Sequence, residues 1–163
     1  MFNICASGET LIPNGVIEYT KAILEQGHYV MIVTNGMLTK RLEEIAQFPE
    51  DYRKRLFFKI SYHYLELKRL NKFDLFFSNI ELIKKMKASF TVEVTPSDEL
   101  IPYIDEMKDI TLKHLGALPH ITVARDESKP DYPLLTKLSK EDYIKTWGQF
   151  DSMMFNFKIS VFG

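Results

Sequence analysis

Short runs of apolar, β-branched and aromatic residues recur along the chain and predict β-strands. The runs are Phe2–Cys5, Tyr29–Val33, Leu56–Tyr62, Phe90–Thr95, Ile121–Ala124 and Phe155–Phe162. Between them, apolar residues recur at the three- and four-residue spacing of amphipathic helices. Strands and helices that alternate in this way form right-handed βαβ crossovers with parallel strands. The pattern therefore predicts an α/β fold of about six strands and five helices.

Residues with cap preferences mark the ends of the predicted helices. Gly27 follows the first helical stripe as a stop, because glycine readily adopts positive φ. Thr39 and Ser97 stand at the starts of later stripes, and Ser139 with Asp142 forms a capping box. The five stripes consist of Val16, Thr20, Ile23 and Leu24; Leu42 and Ile45; Leu75, Phe76, Ile80, Ile83 and Met86; Ile101, Ile104 and Met107; and Tyr143, Ile144 and Trp147.

Two architectures fit this alternation, an open doubly wound sheet and part of a (β/α) barrel. A complete eight-stranded barrel needs about 250 residues, so the 163 residues of this chain supply only part of one. The first strand begins at residue 2, which indicates that a strand is missing upstream. We expect one domain over residues 1–163, and self-association or N-terminal disorder to cover the exposed edge strand at residues 2–5.

Composition narrows the class of protein further. The 21 basic and 22 acidic residues give a net charge of −1, so nothing favours nucleic acid or an anionic membrane as partner. No apolar run approaches the roughly 20 residues that span a bilayer, and no secretory signal follows Met1. We therefore expect a cytoplasmic protein. Cys5 is the single cysteine, which excludes an internal disulfide and a multi-cysteine metal site, and we expect it to be buried.

Candidate site residues stand at the carboxyl ends of the predicted strands, where parallel α/β folds bind ligands. They are Ser7, Gly8 and Glu9 after the first strand, Asn35 after the second, Ser61 and His63 at the third, Glu93 and Thr95 at the fourth, and Val123 and Arg125 at the fifth. Small residues admit a ligand close to the backbone, and the carboxylate of Glu9 can pair with an ammonium group.

Each candidate also has a purely structural interpretation. The segment 7–10 is then a tight turn with a carboxylate near a helix N-terminus, and Asn35-Gly36 is a turn that needs positive φ. His63 is then a surface or packed histidine, and Glu93 faces either a barrel interior or solvent. The prolines and mixed charges of Arg125–Leu138 are typical of a solvated connector, although this loop is also the local candidate for contacting a substrate.

Three motifs in a fixed order resemble the radical S-adenosylmethionine (radical SAM) superfamily. The segment Asn3–Leu11 is similar to the second barrel strand of that family with its Gly-Gly-Glu-Pro motif, with Ser7 and Thr10 replacing the first glycine and the proline. Thr34-Asn35-Gly36 resembles the usual end of the third strand. Lys59–His63 resembles the fourth, where the family often reads Ser-Leu-Asp. The fifth and sixth strands would be Phe90–Pro96 and His120–Arg125, so the resemblance covers nearly the whole chain.

The resemblance implies a TIM-barrel-like partial (β/α) barrel that lacks its first strand and holds S-adenosylmethionine across the strand ends. It implies that Ser7, Gly8 and Glu9 contact the methionine moiety, with Glu9 accepting from its ammonium group. The remaining implied contacts are Ser61 with the ribose hydroxyls, Glu93 or Thr95 near the ribose or methionine, and the main chain of Val123–Arg125 with the adenine. His63 stands where the family often has an acid, so its role is open.

The family's CxxxCxxC motif, which binds a [4Fe–4S] cluster, has no counterpart in this chain. It would precede the Ser7–Glu9 segment, where only Met1–Ala6 stands, with one cysteine. Because thiolates hold such clusters, we expect the cluster only in an intact parent enzyme, and this chain alone to be inactive. No catalytic residue or metal ligand is predicted, and the substrate stays open.

Two alternatives to a segment of a larger radical SAM enzyme remain. In the first, the chain is a cluster-free member of the family that binds a nucleoside-like ligand or a protein. In the second, it is an unrelated doubly wound α/β domain. In the latter case its rim binds another small molecule, or Tyr62 and Tyr64 form an interaction patch. Binding of S-adenosylmethionine that Glu9→Ala abolishes would separate the family from the unrelated domain.

Overall fold

The computed structural model describes residues 1–162, and β-strands alternate with α-helices along them. The strands are β1 (Phe2–Ile4), β2 (Val30–Thr34), β3 (Leu56–Ser61), β4 (Ser89–Val94) and β5 (His120–Ile121). The helices are α1 (Val16–Glu25), α2 (Thr39–Ala46), α3 (Glu50–Arg53), α4 (Tyr64–Leu70), α5 (Phe73–Lys85), α6 (Ile104–Leu115), α7 (Lys140–Gly148) and α8 (Met153–Phe162). A 3-10 helix, Asp98–Tyr103, precedes α6.

The strands of the described residues form a five-stranded parallel sheet in the order β1-β2-β3-β4-β5. The predicted α/β class with a parallel sheet is therefore confirmed, and the partial barrel stays a prediction. Two compact units make up the chain. Unit 1 comprises Met1–Ser61 and Glu66–Val92, and unit 2 comprises Tyr62–Leu65 and Glu93–Gly163, of which Gly163 lies outside the described residues. The single domain over residues 1–163 likewise stays a prediction.

In unit 1, β2 pairs in parallel with both β1 and β3. Alternate residues of β2 and β3 are buried and their neighbours are half-exposed, so each strand presents one face to the core. Helix α1 adds Val16 and Leu24 to the buried residues of this unit. Gly27 follows α1 with a φ of 82°, which confirms the predicted stop.

The predicted cap at Thr39 is wrong. Leu38 is the N-cap of α2, and Thr39 is the first helical residue. The Thr39 hydroxyl donates instead to Oδ1 of Asn79 on α5, at 2.9 Å. The Thr39 hydroxyl thus binds a residue that is distant in the sequence instead of capping its own helix.

In unit 2, β4 and β5 pair in parallel, with Glu93 opposite His120 and Val94 opposite Ile121. The predicted capping box is confirmed, because the backbone N–H of Asp142 donates to the Ser139 hydroxyl at 3.1 Å, and that hydroxyl donates to Oδ2 of Asp142 at 2.7 Å. The aromatic residues predicted to be core are buried: Trp147, Phe150 and Phe155.

The sixth predicted strand, Phe155–Phe162, is wrong, because these residues belong to helix α8. A short apolar run does not by itself distinguish a strand from a helix. Ser152 directly precedes this helix and supplies acceptors to its first turn. The Ser152 carbonyl accepts from Asn156 N–H at 3.0 Å, and its hydroxyl accepts from Phe155 N–H at 3.5 Å. A serine at the start of a helix satisfies backbone donors that would otherwise lack partners.

Cys5 and the helix after β4 also differ from expectation. Cys5 is exposed rather than buried, because it follows β1, an edge strand of three residues. The helix predicted from Ser97 begins as the 3-10 helix, which contains Pro102. Proline lacks the N–H that an α-helix needs in its interior. No helix within residues 1–162 is long and apolar enough to cross a membrane.

Candidate functional site

Glu9 lies at the centre of a hydrogen-bond network where β1 and β2 end. Its Oε1 accepts from the Thr34 hydroxyl at 2.6 Å and from the N–H of Leu11 at 3.1 Å. Its Oε2 accepts from the N–H of Asn35 at 2.7 Å. Hydrogen bonds to a carboxylate are about twice as strong as those between neutral groups. The Glu9 side chain therefore fixes the loop after β1 to the end of β2.

The loop after β2 is fixed by further hydrogen bonds. The Thr34 hydroxyl accepts from Gly36 N–H at 3.1 Å, and Oδ1 of Asn35 accepts from Met37 N–H at 2.9 Å. The buried Asn79 amide donates to the Gly36 carbonyl at 2.8 Å. Gly36 has a φ of 72°, which confirms the predicted turn at Asn35-Gly36.

The structural interpretation of Glu9 as a carboxylate at a helix N-terminus is wrong. Helix α1 begins only at Val16. A turn is present, since the N–H of Ile12 donates to the Glu9 carbonyl at 3.3 Å. A carboxylate offers about four acceptor positions, and three protein donors take up three of them. One acceptor position of the half-buried Glu9 carboxylate is left for an outside donor.

Of the other unit 1 candidates, Ser61 lies nearest to this network in the strand register. Thr34 pairs with Ile60, so Ser61 stands one residue beyond the end of β2. Its side chain is half-buried. Ser7 and Gly8 are exposed in the loop after β1, and a Cβ added to Gly8 would meet nothing within 4 Å. The structure thus joins Glu9 to Asn35 by a hydrogen bond, whereas Gly8 shows no close backbone approach.

The unit 2 candidates occupy different environments. Glu93 is buried on β4 and its carbonyl accepts from Tyr62 N–H at 2.7 Å, so Glu93 does not face solvent. Thr95 and His63 are exposed, as the structural interpretation of His63 expects. Arg125 is half-buried, and its guanidinium donates to the Lys158 carbonyl at 3.5 Å.

Tyr62 and Tyr64 do not form a surface patch, which corrects that alternative. They are only 3% and 1% exposed, and their rings meet edge to face with centroids 6.0 Å apart. Burial raises the pKa of the Tyr62 hydroxyl, and the neighbouring Tyr64 and Glu106 raise it further. A tyrosine in this environment stays neutral across the physiological pH range.

The segment Arg125–Leu138, here called the flap, is a mostly exposed connector, as its structural interpretation expects, and internal hydrogen bonds order it. The N–H of Asp126 donates to the Pro133 carbonyl at 2.9 Å, and the N–H of Leu135 donates to the Ala124 carbonyl at 3.0 Å. Asp98 holds the end of the flap, because its carboxylate accepts from the Thr136 hydroxyl at 2.5 Å and from Lys137 N–H at 2.7 Å.

A cavity of about 630 Å³ lies at the carboxyl ends of β4 and β5, with the flap as one wall. Residues that line it include Thr95, Ser97, Asp98, Ala124, Leu134 and Thr136. Thr95 is a predicted site residue, and Ala124 stands between Val123 and Arg125. Small-molecule sites have volumes of about 300–1,000 Å³, so the size of this cavity suits a nucleoside.

Several residues that build the Glu9 hydrogen-bond network and the flap were not predicted from the sequence. Thr34, Asn79 and Asp98 each make decisive side-chain hydrogen bonds to residues far away in the sequence. The Thr-Asn-Gly sequence was a signal for Thr34. Asn79 is the polar residue within the apolar stripe of α5, and a polar residue in a buried stripe signals a buried hydrogen bond.

No protein-family model, curated protein or solved structure matches this chain. The resemblance to the radical SAM superfamily therefore stays a prediction. The residues present do not fit a [4Fe–4S] cluster, because the chain has one cysteine. In addition, no group of three or more His, Cys, Asp or Glu side chains in residues 1–162 is placed to hold a metal ion.

Proposed function

We propose that this chain binds S-adenosylmethionine at the carboxyl ends of its parallel strands, as a segment of an enzyme of the radical SAM kind. The observation that carries the proposal is the Glu9 carboxylate, fixed at the ends of β1 and β2 with one acceptor position left. A positioned carboxylate of this kind suits the ammonium group of the methionine moiety. Fixing the carboxylate in advance lowers the entropy cost of binding.

One further feature of unit 1 supports an adenosyl ligand. The Ser61 hydroxyl at the end of β3 is a donor and acceptor of the kind that ribose hydroxyls pair with. Thr34, which donates to Glu9, ends β2, and its register partner Ile60 directly precedes Ser61.

The proposed role of this chain is binding. The cluster that would cleave the cosubstrate does not fit the residues present, so no reductive step is assigned to them. The intact mass and iron content of the native protein, isolated without oxygen, would distinguish a segment of a larger radical SAM enzyme from a cluster-free member of that family. An intact mass well above 19.1 kDa with bound iron would indicate a larger enzyme, and a mass of 19.1 kDa without iron a cluster-free protein.

The direct test is calorimetric titration of S-adenosylmethionine into the chain and its Ser61→Ala variant. Loss of one hydrogen bond to a ribose hydroxyl should weaken binding about fivefold. Ser61 is half-buried at a strand end, so the fold should persist, which circular dichroism checks. The matched control is Ser78→Ala on an exposed position of α5, which should bind like the wild type.

A ligand series completes this test. S-adenosylmethionine and S-adenosylhomocysteine share the ammonium and the ribose, so both should bind, whereas adenosine lacks the ammonium and should bind more weakly. If none of these compounds binds, the proposal is wrong and the unrelated α/β domain is favoured. Equal binding by the wild type and the Ser61→Ala variant would remove Ser61 from the site.

A further inference from the structure

A second cavity lies in unit 1, and the proposed function does not use it. Its volume is about 490 Å³, and it lies between the loops that follow β1 and β2, beside the start of α2. Its apolar walls come from Leu11, Ile12, Met37 and Leu38, and charged side chains of α2 complete the lining. We call it the α2 cavity.

Both loops that form the α2 cavity are held in place by hydrogen bonds. Glu9 binds the N–H of Leu11 in one loop and the N–H of Asn35 in the other. At the other side, the Arg41 guanidinium donates to Oδ1 of Asn14 at 2.7 Å and to the Ile12 carbonyl at 3.4 Å. The cavity is therefore preformed, and its walls need not be ordered when a ligand enters.

The charges at the α2 cavity do not cancel. Arg41 is neutralised by Glu44, with Nη1 and Oε2 at 2.9 Å. Lys40 also lines the cavity and is exposed, and it forms no ion pair with any of residues 1–162. One ammonium group without a counter-ion thus stands beside apolar walls, and Ile12 in those walls is 64% exposed, so a ligand can reach it.

We propose that the α2 cavity binds a small amphipathic monoanion, a carboxylate that carries a short alkyl chain. The alkyl chain would pack against Ile12 and Leu38, and the carboxylate would pair with Lys40. Charge complementarity selects the head group, and burial of apolar surface supplies most of the affinity. This site goes beyond the proposed function, because it needs neither Ser61 nor a ligand ammonium group.

The test uses straight-chain carboxylates as probes in calorimetric titrations of the whole chain. Octanoate should bind, and each methylene removed from it should weaken binding about fourfold, since burial of a methylene contributes about 0.8 kcal/mol. Octylammonium has the same tail and the opposite charge, so it should not bind. A carboxylate series that shows no binding, or octylammonium binding as tightly as octanoate, would overturn the proposal.

Two variants locate the site. Lys40→Gln should weaken octanoate binding about threefold, the effect expected of a partly exposed ion pair, and Lys85→Gln on α5 is the matched control without effect. Ile12→Ser removes apolar wall at an exposed position and should also weaken binding. If Lys40→Gln and Ile12→Ser both bind octanoate like the wild type, the site is elsewhere and the proposal is wrong. Octanoate binding by the Ser61→Ala variant should be unchanged, so failures of the two proposals are distinguishable.

Discussion

At the scale of single residues, Gly36 meets two separate requirements at one position. Its φ of 72° is one that L-residues rarely adopt. A Cβ at this position would also lie 3.1 Å from Cγ2 of Ile60 and 3.5 Å from the Phe76 ring. Only glycine satisfies both the backbone angle and the space, and the loop after β2 depends on it.

We expect Gly36→Ala to lower the free energy of unfolding by about 2–5 kcal/mol, the sum of left-handed backbone strain and overpacking. Gly116 provides a matched control, because its φ is also 72° and a Cβ there would meet nothing within 4 Å. Gly116→Ala should therefore cost only about 1–2 kcal/mol. Urea denaturation at an unchanged m-value measures both. Equal losses in the two variants would show that packing at Gly36 plays no part.

The residue scale also shows the limits of the sequence pattern. The positive φ at Gly36 and the burial of Trp147 were predictable, because each follows from a local preference or a helical stripe. The partners of Thr34 and Asn79 were not, because Thr34 donates to Glu9, 25 residues away, and Asn79 donates to the Gly36 carbonyl, 43 residues away. The exposure of Cys5 agrees with the expected edge strand at residues 2–5, whereas its expected burial rested only on the usual preference of a free cysteine.

At the scale of elements, the flap depends on one carboxylate. The Thr136 hydroxyl and the Lys137 N–H donate to Asp98 and hold its pKa below the ordinary 3.8. A carboxyl group whose pKa is lower in the folded state than in the unfolded state stabilises the fold above the unfolded value. That contribution is lost as the pH falls through the folded-state pKa. The end of the flap should therefore release in acid.

We expect the Lys137 amide to be protected from hydrogen exchange at pH 6 and to lose protection as the pH falls below about 4. Asp98→Ala should remove the protection at both pH values, because alanine has no side-chain acceptor for Lys137 N–H. Asp109→Ala, at an exposed position of α6, is the control that keeps the wild-type pH dependence. Protection that survives in Asp98→Ala would assign the flap's stability to its own internal hydrogen bonds.

The type of an element was predicted correctly where the spacing of its apolar residues fitted one period, and the prediction failed where the spacing fitted two. The first five apolar runs each overlap a strand, since β-branched runs at regular intervals between helical stripes have few other solutions. The fifth run, Ile121–Ala124, shares only Ile121 with β5. Phe155–Phe162 has apolar residues at both periods, so the apolar pattern alone does not distinguish a strand from the helix that forms. The flap was predicted as a connector, but its ordering was not predicted, because that depends on Asp98, nearly forty residues before its end.

At the scale of the whole molecule, the strand order leaves β1 with one neighbour among the described strands. The N–H of Phe2 donates to the Tyr29 carbonyl at 2.8 Å. Alternate residues of a parallel strand point their backbone groups to opposite sides, so those of Asn3 point to the open edge. An open edge of this kind is a template for a strand of another chain.

We therefore expect concentration-dependent self-association in sedimentation velocity experiments. Asn3→Pro should reduce it, because proline lacks the N–H that a partner strand would bind and removes no bond to β2. Asn3→Ala keeps the backbone N–H and should associate like the wild type. A wild-type chain that sediments as a monomer at every concentration, or Asn3→Pro that associates unchanged, would rule out this edge as the contact.

The sequential pairing of strands in unit 1 also has a consequence for the time course of folding. Each strand pairs with the next one along the chain, and the hydrogen bonds from Glu9 to Thr34 and Asn35 span only 25 and 26 residues. Contacts of short sequence separation form quickly, because little loop entropy is lost before they form. On the ribosome, β1, α1 and β2 can therefore associate and be held by Glu9 before β3 has emerged. Each later strand then emerges beside a partner that is already in place.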